Sequence, residues 1–223
     1  AEQAFLEAIN KGISTADIWL SIGHNRKTLG NLYQAEEAYL SAKELDPSIG
    51  ACWSLLGSVQ LALGKYGAAQ EALLQAIALE PKSSIHHEEL GRAFLSDLKL
   101  DQARNAFENA LNHSADDGRD IYMTSVFYLL GIAELLDDSY GAAENYLKHA
   151  LGLNPSTVEM SKATLQAECW FGLGQTYEKT GKPKQAEFAF RKAITLGANW
   201  TWKALKSIAE LQISRNQESI HVI

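Results

Sequence analysis

Glycine recurs at a fixed interval in this chain: Gly23, Gly57 and Gly91 stand 34 residues apart. A period of that length constrains the fold more tightly than composition does. Each period must be one supersecondary unit that cannot cover its own apolar face and so stacks on the next. With each glycine at the eighth place, units start at Ala16, Gly50 and Ser84. Gly131 and Gly174 take the same place in two more, starting at Thr124 and Ala167. The units are therefore 16–49, 50–83, 84–117, 124–157 and 167–200, with insertions at 118–123 and 158–166.

Other places fall into line. Place twenty holds Ala35, Ala69, Ala103, Ala143 and Ala186, and place twenty-seven Ala42, Ala76, Ala110, Ala150 and Ala193. Place four carries Trp19, Trp53, His87, Phe127 and Trp170, and place seven Ile22, Leu56, Leu90, Leu130 and Leu173. Place twenty-four is bulky throughout: Tyr39, Leu73, Phe107, Leu147 and Phe190. Pro47, Pro81 and Pro155 occupy place thirty-two, where a proline breaks one helix and pre-sets φ for the next. Each unit reads as two amphipathic helices joined by a Gly or polar turn, and no run alternates long enough for a strand. The small residues at places eight and twenty lie where the two helices cross.

With this pattern in hand, the sequence resembles the tetratricopeptide repeat family (W-x2-L-G-x2-Y…A-x3-F…A…P) over 170 of its 223 residues. The departures are confined. The family's Tyr place, the eleventh, is matched by Phe94 and Tyr177 but holds Arg26, Gln60 and Glu134 elsewhere, and place thirty-two is Ala115 and Ala198 in the third and fifth units. The resemblance implies an all-α fold, a right-handed superhelical solenoid of antiparallel helix pairs. The expected organisation is a single solenoid over 1–215 with a tail at 216–223. Within it, 1–15 is a half-repeat, because Ala1, Phe5 and Ala8 fall at places twenty, twenty-four and twenty-seven. That half-repeat suits a fragment of a longer array or a capping element. Residues 201–215 are expected to form a capping helix over the last apolar face. Ser156-Thr-Val-Glu159 is a capping box, so the first helix of the fifth unit is expected to start early and run from Thr157 to Lys179; Asp120 to Leu136 reads as a lengthened helix in the fourth.

Charge narrows the partners. With 20 Lys and Arg against 27 Asp and Glu the net charge is −7, which disfavours nucleic acid and anionic membranes. No apolar run approaches the ~20 residues that span a bilayer, so no membrane insertion is expected and the chain reads as soluble and intracellular (cytoplasmic). Cys52 and Cys169 form no C-x-x-C pair and read as buried, reduced thiols.

Catalytic constellations are not found. His86-His-Glu-Glu-Leu lacks a second ligand one turn on, where Gly91 stands, and His87 takes the packing place of a Trp, so a structural role is expected and no metal. Gly172 and Gly174 lack the third Gly and preceding strand of a dinucleotide site. Adjacent carboxylates point about 100° apart on a helix and do not pair as acid and base. The sequence implies no enzyme and no cofactor.

The resemblance also places a concave, partner-binding surface on the first helix of each unit, at places two, five, nine and twelve. These are Asp17, Leu20, His24 and Lys27; Ala51, Ser54, Ser58 and Leu61; Ile85, Glu88, Arg92 and Leu95; Ser125, Tyr128, Ile132 and Leu135; Glu168, Phe171, Gln175 and Glu178. Chaperone-binding members grip a terminal carboxylate with Lys, Asn and Arg at places held here by Leu20, His24, Leu55, Ile85 and Glu89, so the C-termini of the large heat-shock chaperones are not expected as ligands. Tyr128, Ile132 and Leu135 beside Phe171 make an apolar strip, either anchors for a partner segment or extra core. The expected function is a protein-interaction scaffold holding a protein or peptide with apolar anchors. The alternative is the substrate-recruiting arm of an enzyme whose catalytic domain lies elsewhere, as in sugar transferases that carry such repeats.

Overall fold

A computed structural model describes residues 2–117, 120–152, 159–197 and 206–208. The described residues contain helices and turns and no strand. They divide into two compact units, 1–117 and 118–223. The first contains α1 (Glu2–Asn10), α2 (Ala16–Thr28), α3 (Leu32–Leu45), α4 (Gly50–Ala62), α5 (Tyr66–Leu79), α6 (Ser84–Ser96) and α7 (Leu100–Asp117). The second contains α8 (Asp120–Leu136), α9 (Tyr140–Gly152), α10 (Glu159–Lys179) and α11 (Pro183–Thr195). Helices pair as α2 with α3, α4 with α5, α6 with α7, α8 with α9 and α10 with α11, one hairpin per repeat. The α8 helix has the bounds read from the sequence, and α10 ends at Lys179 as expected, while its expected start at Thr157 lies outside the described residues. The capping helix at 201–215 lies outside the described residues except Lys206–Ile208, which are helical, and so does the 216–223 tail.

A single device turns each hairpin. The backbone at place fifteen is left-handed in all five repeats: Gly30 (φ 79), Gly64 (φ 74), Leu98 (φ 56), Asp138 (φ 56) and Gly181 (φ 68). The next N–H then reaches back to the carbonyl at place eleven: Asn31 to Arg26, Lys65 to Gln60, Lys99 to Phe94, Ser139 to Glu134 and Lys182 to Tyr177. This 6→1 bond satisfies a carbonyl the helix would otherwise leave orphaned. Leu98 and Asp138 carry a Cβ into that region at a cost of about 1 kcal/mol each. Every second helix whose start follows this turn opens two residues later, at Leu32, Tyr66, Leu100, Tyr140 or Pro183.

Packing explains the glycine period. A Cβ on Gly23 would lie 2.5 Å from the Tyr39 ring, one on Gly57 2.7 Å from Leu73 Cγ, and one on Gly131 2.6 Å from Leu147 Cγ. On Gly91 and Gly174 it would overlap the rings of Phe107 and Phe190. Place eight is glycine because the bulky side chain at place twenty-four lies flat on its Cα. The ten alanines at places twenty and twenty-seven are at most 1% exposed, so no larger side chain fits between the helices.

Neighbouring repeats are also clasped by polar groups, and here place eleven acquires a meaning. Arg26 Nε donates to Glu2 Oε1 (2.9 Å), Gln60 Nε2 to Glu36 Oε1 (3.3 Å) and Tyr177 OH to Glu144 Oε1 (3.2 Å). Each acceptor sits at place twenty-one of the preceding repeat. A lysine at place sixteen completes the clasp: Lys65 on Glu36 (2.6 Å), Lys99 on Gln70 (2.9 Å) and Lys182 on Glu144 (3.1 Å). In the third repeat Phe94 has no donor to offer, and Gln70 donates to Asp97 instead. In the first, second and fifth repeats place eleven thus supplies a donor, which need not be tyrosine. Lys148 and Lys182 hold the Glu144 carboxyl below the ordinary range, against the opposing pull of burial.

Candidate partner-binding surface

Within the first unit, α2, α4 and α6 present the family's binding places, and most of their polar groups are already committed. Lys27 Nζ donates to Ser58 Oγ across neighbouring helices at 2.7 Å. Arg92 donates twice to Glu88 Oε1, at 3.2 and 2.8 Å, and Glu88 is buried. Ser54 is buried, Leu20 is half-buried against the core around Tyr39, and His24 is exposed. Burial raises the carboxyl pKa of Glu89 despite Arg92 and Lys27 nearby. Leu20, Leu61, Ile85 and Leu95 lie half-buried among them, so the face is mixed, aliphatic and polar, with no Phe, Tyr or Trp at these places.

The second unit differs. Tyr128 on α8 and Phe171 on α10 are half-buried and pack against one cluster formed by Leu147, Leu173 and Phe190. The Phe171 ring tilts over Phe190 at 5.6 Å. Ile132 Cδ1 lies 3.6 Å from the point a Gly172 Cβ would occupy, so its side chain crosses from α8 to α10. Tyr128, Ile132 and Phe171 are therefore brought together at the α8–α10 seam. Leu135, Gln175 and Glu178 lie further along the same helices, half-buried. Aromatic rings that are part core and part surface arrive already ordered, so little side-chain entropy is lost when a partner covers them.

His87 resolves the chain's most metal-like motif. Its Nε2 lies 3.0 Å from the Pro81 carbonyl, as Trp53 Nε1 lies 2.8 Å from that of Pro47, and its ring stacks on His113 at 5.3 Å. It does the work of the tryptophan it replaces. Bonding to a carbonyl requires a proton on Nε2, and burial pulls the ring's pKa below 6.5 although that bond opposes the shift. An unfolded chain protonates this ring before the folded one, so stability falls as pH drops below 6.5. His87→Trp is expected to flatten that acid branch in thermal melts; an unchanged acid branch contradicts the assignment.

Three stretches, 16–49, 54–119 and 167–200, match family models described as tetratricopeptide repeat. The chain is a tetratricopeptide repeat protein. No curated protein matches it in sequence. Among solved structures, the APC/C hetero-tetramer Cut9–Hcn1 contains a chain with TM-score 0.78 and 21% identity, over 94% of this chain and 38% of that one. Yeast Tom70 gives 0.70 and 17%, over 98% and 44%. YrrB, a tetratricopeptide repeat protein with an unusual peptide-binding site, gives 0.62 and 18%, over 88% and 94%. At these identities the likeness establishes the fold, the all-α αα superhelix. This chain spans less than half the length of the first two relatives. Tetratricopeptide repeats generally serve as protein-interaction scaffolds. No described helix is long and apolar enough to cross a membrane.

Proposed function

We propose that this protein holds a segment of a partner protein against the first-helix face of α8 and α10, with apolar side chains of the partner seated on Tyr128, Ile132 and Phe171. One observation carries the reading: on the face this fold uses for partners, charged groups of the first unit pair with one another and its apolar places carry aliphatic side chains, while the second keeps half-buried aromatic surface at a helix seam. Binding energy concentrates on such anchors, and truncating one typically costs about 2 kcal/mol or more. Leu20, His24, Leu55, Ile85 and Glu89 offer no cationic cradle on α2, α4 and α6, so a chaperone's terminal carboxylate is not held there. YrrB, of the same fold, has a peptide-binding site of its own.

A photo-reactive amino acid tests this in the full-length protein in its own cells. Placed at Ile132 or Gln175 it is expected to cross-link a partner protein, and at exposed Glu108 on α7 it is not. Cross-linking from Glu108 alone, or equally from all three, overturns the reading.

A further inference from the structure

On another side of α10, the second helices α9 and α11 flank a groove of about 530 Å³. Its floor is Trp170, Leu173 and Tyr177, at places four, seven and eleven, and Leu151 and Phe188 form its walls. The second repeat builds an equivalent groove of about 490 Å³ over Trp53, Leu56 and Gln60. Repeat packing accounts for the shape of both. It does not account for what lines the fifth. Place twenty-two, on the outward side of each second helix, holds Glu37, Glu71, Asn105 and Asn145, and then Phe188. Phe188 is 54% exposed and stands edge-on to Trp170, with centroids 5.8 Å apart and planes at 82°. The two rings make one continuous apolar wall.

The rim is cationic on a chain whose net charge is −7. Lys148 and Lys184 line the groove. Lys182 lies 5.5 Å over the Tyr177 ring and Lys192 5.6 Å over Phe188. Glu144 answers Lys148 and Lys182, and Glu187 is held by Arg191 at 2.8 Å. The equivalent groove of the second repeat sets Lys43 against Glu71 and carries no such excess. An apolar floor under a positive rim is complementary to an apolar side chain flanked by carboxylates. A bare anion would meet the lysines and leave the aromatic floor wet.

We infer that this groove is a second docking site, taking a segment of a partner protein in which an aromatic or aliphatic anchor is flanked by Asp or Glu. The inference does not rest on the α8–α10 face and can fail independently of it.

Two labelled short peptides test it by fluorescence anisotropy on the whole chain: one with Phe and Leu anchors flanked on both sides by Glu, and a twin with Lys for every Glu. The acidic peptide is expected to bind, more weakly as salt is raised, and the basic twin not to bind. Phe188→Glu, which restores the residue type of the first two repeats and so should not disturb folding, is expected to weaken binding at least tenfold. Lys184→Glu should weaken it several-fold, and Glu108→Ala at an exposed position of α7 should leave it unchanged. No binding of the acidic peptide, equal binding of both peptides, or an affinity unmoved by Phe188→Glu overturns the inference. So does displacement of the peptide by dodecanoate with the same loss in Phe188→Glu, which would make the groove a site for small amphiphiles.

Discussion

Replacing Phe107 with alanine is expected to lower the unfolding free energy by about 3–5 kcal/mol. The ring is fully buried between α6 and α7 and covers Gly91, so its loss opens a cavity that two helices cannot close without breaking their alignment. The glycine beneath gives the complementary result. Gly91→Ala gains about 1 kcal/mol of helix propensity. Against that, its new methyl overlaps the Phe107 ring, and overpacking costs about 1–3 kcal/mol. The ring is fully buried and has no room to swing aside as a flexible side-chain tip would, so the net effect is a loss. At Gly67 and Gly141, where a Cβ meets nothing within 4 Å, alanine is expected to stabilise by up to about 1 kcal/mol. In the Phe107→Ala background the penalty of Gly91→Ala should vanish, because the methyl then fills the vacated space. Urea unfolding of the four single variants and the double variant reads all of this. If Gly91→Ala stabilises as Gly67→Ala does, the ring-on-glycine account of the period is wrong.

This contact explains why so much of the fold was legible. Gly at place eight, Ala at twenty and a bulky residue at twenty-four are forced by sterics, and steric demands repeat without variation. Lengthened α8 and α10 were legible for a local reason: no Gly or Pro interrupts α8 before Gly131 or α10 before Gly172, and Ser156-Thr-Val-Glu159 supplies a start for α10. The polar clasp was not legible. Its partners lie 24 to 38 positions apart, and one role is played by Arg26, Gln60 or Tyr177 on one side and by Glu2, Glu36 or Glu144 on the other. A role that several residue types can fill leaves no letter to align, so Arg26 and Gln60 looked like lapses at a tyrosine place. Leu98 and Asp138 similarly hid the left-handed turn that Gly30, Gly64 and Gly181 advertise.

The candidate site was legible in position and not in state. Its residues follow from the resemblance, but only the fold reveals that Lys27 is committed to Ser58 and Arg92 to Glu88, and that Tyr128 and Phe171 share one core cluster at the α8–α10 seam. Phe188 went unremarked for the opposite reason. A search for sameness across repeats passes over the one repeat that departs at an outward place.

The second large effect is expected at the seam. Tyr128→Ala combined with Ile132→Ala removes two proposed anchors while sparing Phe171, which tilts over Phe190 and borders two core clusters. Both truncated side chains are half-buried, so each should cost about 1–2 kcal/mol of stability, and each kcal/mol is about 2–4 °C in a domain of this size. Loss of anchor contacts costs binding more: about 2 kcal/mol or above, a factor of roughly 30 in affinity.

The decisive measurement is the dissociation constant of the cross-linked partner for the Tyr128→Ala, Ile132→Ala variant, taken beside its melting curve. Affinity at least tenfold weaker, in a protein that still melts cooperatively within about 10–15 °C of the parent, is the predicted result. A folded variant that binds as the parent does, or a variant that no longer folds at all, would mean these side chains are core and the partner sits elsewhere.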